Sequence, residues 1–216
     1  MINDRLKAVA SVIDEDANIM DIGCDHALLD IFVAKTRKVG KIIASDINKG
    51  PLIGAKKNID DYKMQDKIVL RHGDGLKILD NDIDTIVISG MGGVTINKIL
   101  EKKHLKNIKC IILSPNNGIS KVRKHLNKIG FELEKESLIL EKNIIYIIMK
   151  AVRGNKKLSS NAIKYGSLSL RKDDLYKKYL LKDLAKVEKV LSKLPKKYLI
   201  KKIKLKKEII DIKRII

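Results

Sequence analysis

Tryptophan is absent from this sequence, and cysteine occurs only twice, as Cys24 and Cys110. The two cysteines stand far apart and form no CxxC pair, which argues against a structural zinc site or a disulfide framework and for reduced thiols. No metal site is expected. No apolar run approaches the roughly 20 residues that a bilayer span requires, and the N-terminal MINDRLKAVA lacks the apolar core of a signal peptide. A cytoplasmic protein without membrane contact is therefore expected. Also missing is GxGxxG, the glycine pattern that cradles a dinucleotide pyrophosphate.

What is abundant is positive charge. Lys and Arg number 46 against 26 Asp and Glu, a net +20, in a chain whose 44% hydrophobic content suits a globular fold. Lysine, isoleucine and asparagine are all plentiful, a bias that AT-rich coding produces by itself, so where the charge lies says more than its total. Residues 155–216 hold 20 basic residues against 6 acidic ones, whereas residues 1–154 hold 26 against 20. A surface that basic attracts polyanions.

Along the chain, short apolar runs alternate with helical periodicity. Residues 2–13 form an amphipathic helix with Asn3 or Asp4 as cap, and Arg5 on it is either a solvated charge or a contact to phosphate. Ile19–Ala27 reads IMDIGCDHA, an apolar run carrying Asp21 and then a tight turn at Gly23, followed by a helix from Leu28 to Ala34. Asp25 is a candidate N-cap for that helix, or it faces a ligand in the turn. Lys41–Asp46, Ile68–Arg71, Thr85–Ser89 and Lys109–Leu113 are further strands, with helices over residues 51–62, 94–100 and 120–129 between them. Pro51 is expected at the first helical position. Phe131–Leu140 and Ile144–Val152 read as a hairpin. The expected fold is α/β, a Rossmann-like domain over residues 1–154 with a mostly parallel seven-stranded sheet.

In such sheets ligands bind at the carboxyl ends of the strands. Three features fall there: the Gly23 turn after the first strand, Asp46 after the second and Asp74, between Gly73 and Gly75, after the third. Asp46 lies 23 residues beyond Gly23, near the spacing at which nucleotide-binding domains engage a ribose. Gly90-Met91-Gly92-Gly93 is either backbone kept bare for a ligand or a flexible turn. Acids in the first turn repel a pyrophosphate, which counts against a nicotinamide-dependent reductase. They suit a cationic donor that carries a ribose, S-adenosyl-L-methionine.

Gly154–Ser160 reads as a linker. Beyond it Leu180, Leu184, Val187, Leu191 and Leu194 form one helical stripe, Pro195 ends it, and Leu199, Ile203, Leu205, Ile209, Ile212 and Ile216 supply a second. An antiparallel helical hairpin is expected, with Tyr165, Tyr176, Tyr179 and Tyr198 interleaved among exposed lysines. Polyanion binding is the function this surface favours.

Taken together, DIGCDHA, ASDINKGPL, LRHGDGL, ISGMGG and SPNNG, in this order, resemble the bacterial tRNA adenine N1-methyltransferases that modify adenosine 22. That family has a class I methyltransferase domain and a C-terminal coiled-coil-like helical domain. Two positions depart from wider patterns. GCDHA replaces the usual class I GxGxG, as it does in the family, and Ser114 precedes the proline where a glutamine is expected. The resemblance implies that Gly23, Cys24, Asp25 and His26 line the methionine end of S-adenosyl-L-methionine, with Asp21 also a cofactor-binding residue. Asp46 with Ile47 would hold the ribose, Asp74 with Gly75 would flank the adenine, and Gly90 and Met91 would border the reaction centre. Asp25, His26 and Asn116 are the implied catalytic residues. The implied partner is tRNA, held by the basic helices of residues 155–216 and by Arg5, with the protein acting as a monomer. The rival is a non-catalytic RNA-binding protein on the same fold.

Overall fold

The computed structural model describes residues 2–101, 104–195 and 197–216. The chain divides into two compact units, Met1–Lys164 and Tyr165–Ile216.

The first unit opens with α1 (Asp4–Ser11), capped by Asn3, whose side chain accepts from the Leu6 N–H at 2.9 Å. Then follow β1 (Ile19–Ile22), α2 (Leu28–Thr36), β2 (Ile42–Asp46), α3 (Lys49–Asp61) and β3 (Ile68–His72). After a 3-10 turn at Gly75–Ile78 come β4 (Thr85–Ser89), α4 (Gly93–Ile99), β5 (Cys110–Ser114), α5 (Ile119–Lys128), β6 (Phe131–Glu141) and β7 (Ile144–Arg153). The seven strands form one sheet in the order β3-β2-β1-β4-β5-β7-β6, parallel except where β7 pairs antiparallel with β5 and β6. Strands β1, β2 and β5 are buried at every position, which is why their sequences are near-continuous runs of isoleucine, alanine and leucine. The two-residue turn of the hairpin, Lys142 and Asn143, has φ of 47° and 64°, the left-handed pair that a right-twisted hairpin needs.

Strand order reverses between β1 and β4, because the chain winds outward through β2 and β3 before crossing to β4. At such a reversal the loops leaving neighbouring strands go to opposite faces and leave a crevice at the carboxyl ends.

One buried ion pair escaped the pattern of the sequence. Arg123 on α5 donates to Glu136 on β6 at 2.8 Å with both side chains 1% exposed, and it also reaches the carbonyls of Ile163 and Lys164.

Several expectations need correction. Asp25 does not cap α2; the N-cap position is Ala27, in the left-handed region at φ 55° and without a side-chain cap, and Asp25 itself sits at φ 51°. Pro51 is the third residue of α3, not the first, still within the turn whose N–H groups lack intrahelical partners. The linker reading needs only its end trimmed: residues 154–159 hold no regular structure, and α6 (Ser160–Tyr165) begins at Ser160.

In the second unit, α7 (Leu168–Arg171) leads into α8 (Asp174–Lys193), and α9 (Leu199–Lys213) returns along α8, with Lys213 3.0 Å from Glu188. Asp173 caps α8 through the N–H groups of Leu175 and Tyr176. The core comprises Tyr165, Leu170, Tyr176, Leu180, Leu184 and Ile212. Tyr165 and Tyr176 are thus core residues and not part of a lysine-rich surface; the Tyr176 hydroxyl donates to the Tyr165 carbonyl at 2.9 Å. Leu199, Ile203 and Ile216 are exposed, so the second stripe packs only through Leu205, Ile209 and Ile212.

Candidate active site

The crevice is a cavity of about 500 Å³, within the range of small-molecule sites. Its wall contains every residue that the sequence assigned to the cofactor: Asp21, Gly23, Cys24, Asp25, His26, Asp46, Ile47, Asp74, Gly75, Gly90 and Met91. Arg5 also lines it. Among the wall residues that sequence reasoning missed are Leu6, Asn48, Ser89, Thr95 and Ile99. Ser89 ends β4 and Thr95 lies in the first turn of α4, so strand-end position was the signal available for the first and none was available for the second.

Each acid is placed by its strand. Asp21 is buried within β1, and its carboxyl hydrogen-bonds that of Asp30, on α2 and 2% exposed. Two carboxyl groups can bond to each other only through a proton. Burial is the main cause that drives the Asp21 carboxyl well above the usual carboxylate range, and the charges of Asp30 and Asp46 add to it. Asp30 is likewise raised by burial, against opposing hydrogen bonds from its backbone and Asp21. Oδ2 of Asp30 is buried without a hydrogen-bond partner, which makes its charged form costly. Asp46, at the end of β2, accepts from the Asn48 N–H at 2.8 Å, which makes it a turn residue and a cavity residue at once. Asp74 is half exposed and pairs with Lys77 at 2.6 Å.

Asp25 and His26 stand together at the mouth, His26 Nε2 3.6 Å from Asp25 Oδ1, both more than half exposed. The His26 ring packs on bare Gly54 of α3, where a β-carbon would strike Nδ1. Cys24 is buried, and that burial, reinforced by Asp30, Asp21 and Asp46, pushes its thiol far up and leaves it a neutral wall.

The motifs GMGG and SPNNG prove to be one structure. Gly90 N donates to the Ser114 carbonyl, Asn116 N to the Met91 carbonyl and Gly93 N to the Asn117 carbonyl, at 3.0, 2.9 and 3.2 Å. The two loops therefore extend the β4–β5 pairing beyond the sheet. Asn116 is not in the cavity wall; its side chain donates to the Gly90 carbonyl and accepts from Arg5 Nη1 at 3.4 Å.

This donor set fits a cationic, ribose-bearing cofactor. Four carboxyl groups line the cavity and Arg5 is its one lysine or arginine among the described residues, so a pyrophosphate would meet mostly negative charge.

Comparison with known proteins agrees. A methyltransferase-domain family model matches residues 2–149. The tRNA (adenine(22)-N(1))-methyltransferase of Bacillus subtilis (strain 168) is 33% identical over 165 residues, which are 75% of this chain and 69% of that protein. Among solved structures, the B. subtilis m1A22 tRNA methyltransferase TrmK superposes with a TM-score of 0.90 at 27% identity, covering 100% of this chain and 98% of the other. M. capricolum TrmK in complex with S-adenosyl-homocysteine gives 0.89 at 29% identity, covering 99% and 97%. From the acid-lined crevice to the paired glycine loops and the helices that follow, the chain belongs to the tRNA (adenine(22)-N(1))-methyltransferase family.

Proposed function

We propose that this chain transfers a methyl group from S-adenosyl-L-methionine to N1 of adenosine 22 in tRNA. The observation that carries the reading is the crevice at the strand-order reversal, lined by carboxyls from the ends of β1, β2 and β3, in a chain of this family.

When bound, S-adenosyl-L-methionine supplies an electrophilic methyl group on a cationic sulfonium. Asp25 gives the methionine end a negative neighbour, with Asp21, Gly23, Cys24 and His26 shaping it. Asp46 and Ile47 hold the ribose, and Asp74 and Gly75 flank the adenine. Gly90 and Met91 border the point of transfer. Adenine N1 already carries a lone pair, so no base need deprotonate it, and alignment supplies most of the rate. Asp25, His26 and Asn116 are the groups near enough to that border to steady the base as it gains positive charge. N1 lies on the pairing edge, so the nucleotide must leave its stack, at about a few kcal/mol.

The lysines of α8 and α9, together with Arg5, grip tRNA phosphates while this happens, as a monomer in the cytoplasm. Like charge on those helices opposes self-association. Among the described residues no helix is long and apolar enough to cross a membrane.

The test is methyl transfer from labelled cofactor to tRNA, with the product mapped. Label at N1 of A22, lost in Asp25→Ala without unfolding, supports the reading. Cofactor and tRNA binding without transfer would favour a non-catalytic RNA-binding protein.

A further inference from the structure

Arg5 is out of character with the cavity it lines. Among the described lining residues it is the one lysine or arginine, set among Asp21, Asp25, Asp46 and Asp74. A guanidinium there repels the sulfonium of the donor; the donor's own α-carboxylate is the competing anion for it, and cofactor affinity in Arg5→Ala separates the two. The fold nevertheless holds it in place from three directions. Its backbone N–H donates to Glu141 Oε2 at 2.9 Å, at the tip of the β6–β7 hairpin. Its guanidinium carbon lies 4.9 Å from the centre of the Tyr146 ring, on the other arm of that hairpin. Nη1 faces Asn116 Oδ1 at 3.4 Å.

The Asn116 contact also has a defined sense. Arginine only donates and a backbone carbonyl only accepts, so the amide atom toward Arg5 is oxygen and the one toward the Gly90 carbonyl is nitrogen. Gly90 borders the guanidinium: a β-carbon there would lie in ordinary contact, 3.6 Å from both Nη1 and Nη2. Among the described residues no carboxylate pairs with the guanidinium, Nη2 has no partner, and Nε is buried without one. A fixed cation with unused donors, stacked on an aromatic face, is what planar recognition of a phosphate requires.

We propose that Arg5, held by Tyr146 and Asn116, binds a phosphate flanking the target adenosine and so sets the depth and angle at which the extruded base enters the cavity. The assignment rests on the activity proposed above and adds a substrate-side anchor within the catalytic unit. It is a different task from that of the C-terminal lysines. They attract tRNA as a polyanion; Arg5 orients one nucleotide. Arg5 is thus a positioning residue that touches the substrate backbone and takes no part in bond making.

The test uses the full chain, a tRNA substrate and two series of changes. Arg5→Ala should lower kcat by roughly 10- to 100-fold, the scale of a lost charged hydrogen bond, with cofactor affinity by calorimetry within about twofold. Arg5→Lys should recover part of the loss, since it restores charge without the fork. In the second series, neutral methylphosphonate linkages are placed singly on the 5′ and 3′ sides of A22. One of them should slow the unaltered enzyme about as much as Arg5→Ala does, and should cost the Arg5→Ala enzyme nothing further. Wild-type kcat in Arg5→Ala, or effects of linkage and substitution that simply multiply, would overturn this assignment alone. Failure of the unaltered chain to methylate tRNA would overturn the activity and the assignment together.

Discussion

The terminal methyl of Met91 occupies the place where a β-carbon on Gly23 would lie. Gly23 follows β1 and Met91 follows β4, so the contact joins the two loops on either side of the strand-order reversal. Gly23 also has φ of 81°, the region that L-side chains avoid.

Gly23→Ala should therefore cost about 1–2 kcal/mol in stability from backbone strain, and should displace Met91 from the cavity border. Met91 is flexible, so the fold survives. Thermal denaturation should register the modest loss, and calorimetry should register a larger one in cofactor affinity. Unchanged affinity would show that the Met91 position is irrelevant to the ligand.

Gly93→Ala should be the more damaging change. Its new methyl would meet the backbone carbonyls of Asn117 at 2.8 Å and Gly118 at 3.0 Å, which cannot swing aside as a methionine does. The paired GMGG and SPNNG loops should separate. A loss of about 2–3 kcal/mol, with methyl transfer falling below detection, is the expected outcome of a combined melt and activity assay.

The Asp21–Asp30 pair makes stability depend on pH in a stated direction. Burial pushes the Asp30 carboxyl up to about 7, so the folded chain keeps a proton that the unfolded chain has already released. That contribution is complete below about pH 4 and is lost as pH rises through the folded value, with a slope of at most about 1.4 kcal/mol per pH unit for one proton. Asp30→Asn should flatten the decline and raise the melting temperature at pH 8. Parallel curves for the two proteins between pH 5 and 8 would refute the shared proton.

The buried Arg123–Glu136 pair should tolerate paired replacement better than single replacement. Arg123→Met alone leaves Glu136 charged and buried, at a cost of about 3–5 kcal/mol. Adding Glu136→Leu should restore much of that, as chemical denaturation would measure. A double variant no more stable than the single one would contradict this.

Lys201, Lys204, Lys206 and Lys207 on α9 are exposed. Changing all four to Glu should weaken tRNA binding strongly, flatten its dependence on salt and leave cofactor affinity alone. Filter binding at several salt concentrations tests this, and an unaltered slope would remove these lysines from the interface.

Sequence alone carried far for the catalytic unit because each strand and each strand-end motif is a local signal. The apolar runs, the glycine turns and the acids at Asp21, Asp46 and Asp74 could be placed on one edge of one sheet by chain order alone. Asp30 could not. It sits in the apolar run LLDIFVA as an oddity, and only the packing of α2 against β1 turns it toward Asp21. The C-terminal helices were legible in period but not in depth. Tyr165 and Tyr176 looked like surface aromatics, and Leu199 and Ile203 looked like core. Periodicity tells which residues share a face, not how much of that face a partner covers.

By itself, the order of residues determined the alternation of strands and helices, the acid character of the crevice and the concentration of lysine in the last helices. These follow from steric preference, apolar period and charge, all properties of neighbours along the chain. Tertiary structure alone decided that Arg5 meets Asn116, 111 residues away, that two glycine loops close into one rim, and that Asp21 and Asp30 are buried together, where burial raises both carboxyls above their usual range. Each of those needs two distant segments at hydrogen-bonding range, and only the closing of the sheet brings them there.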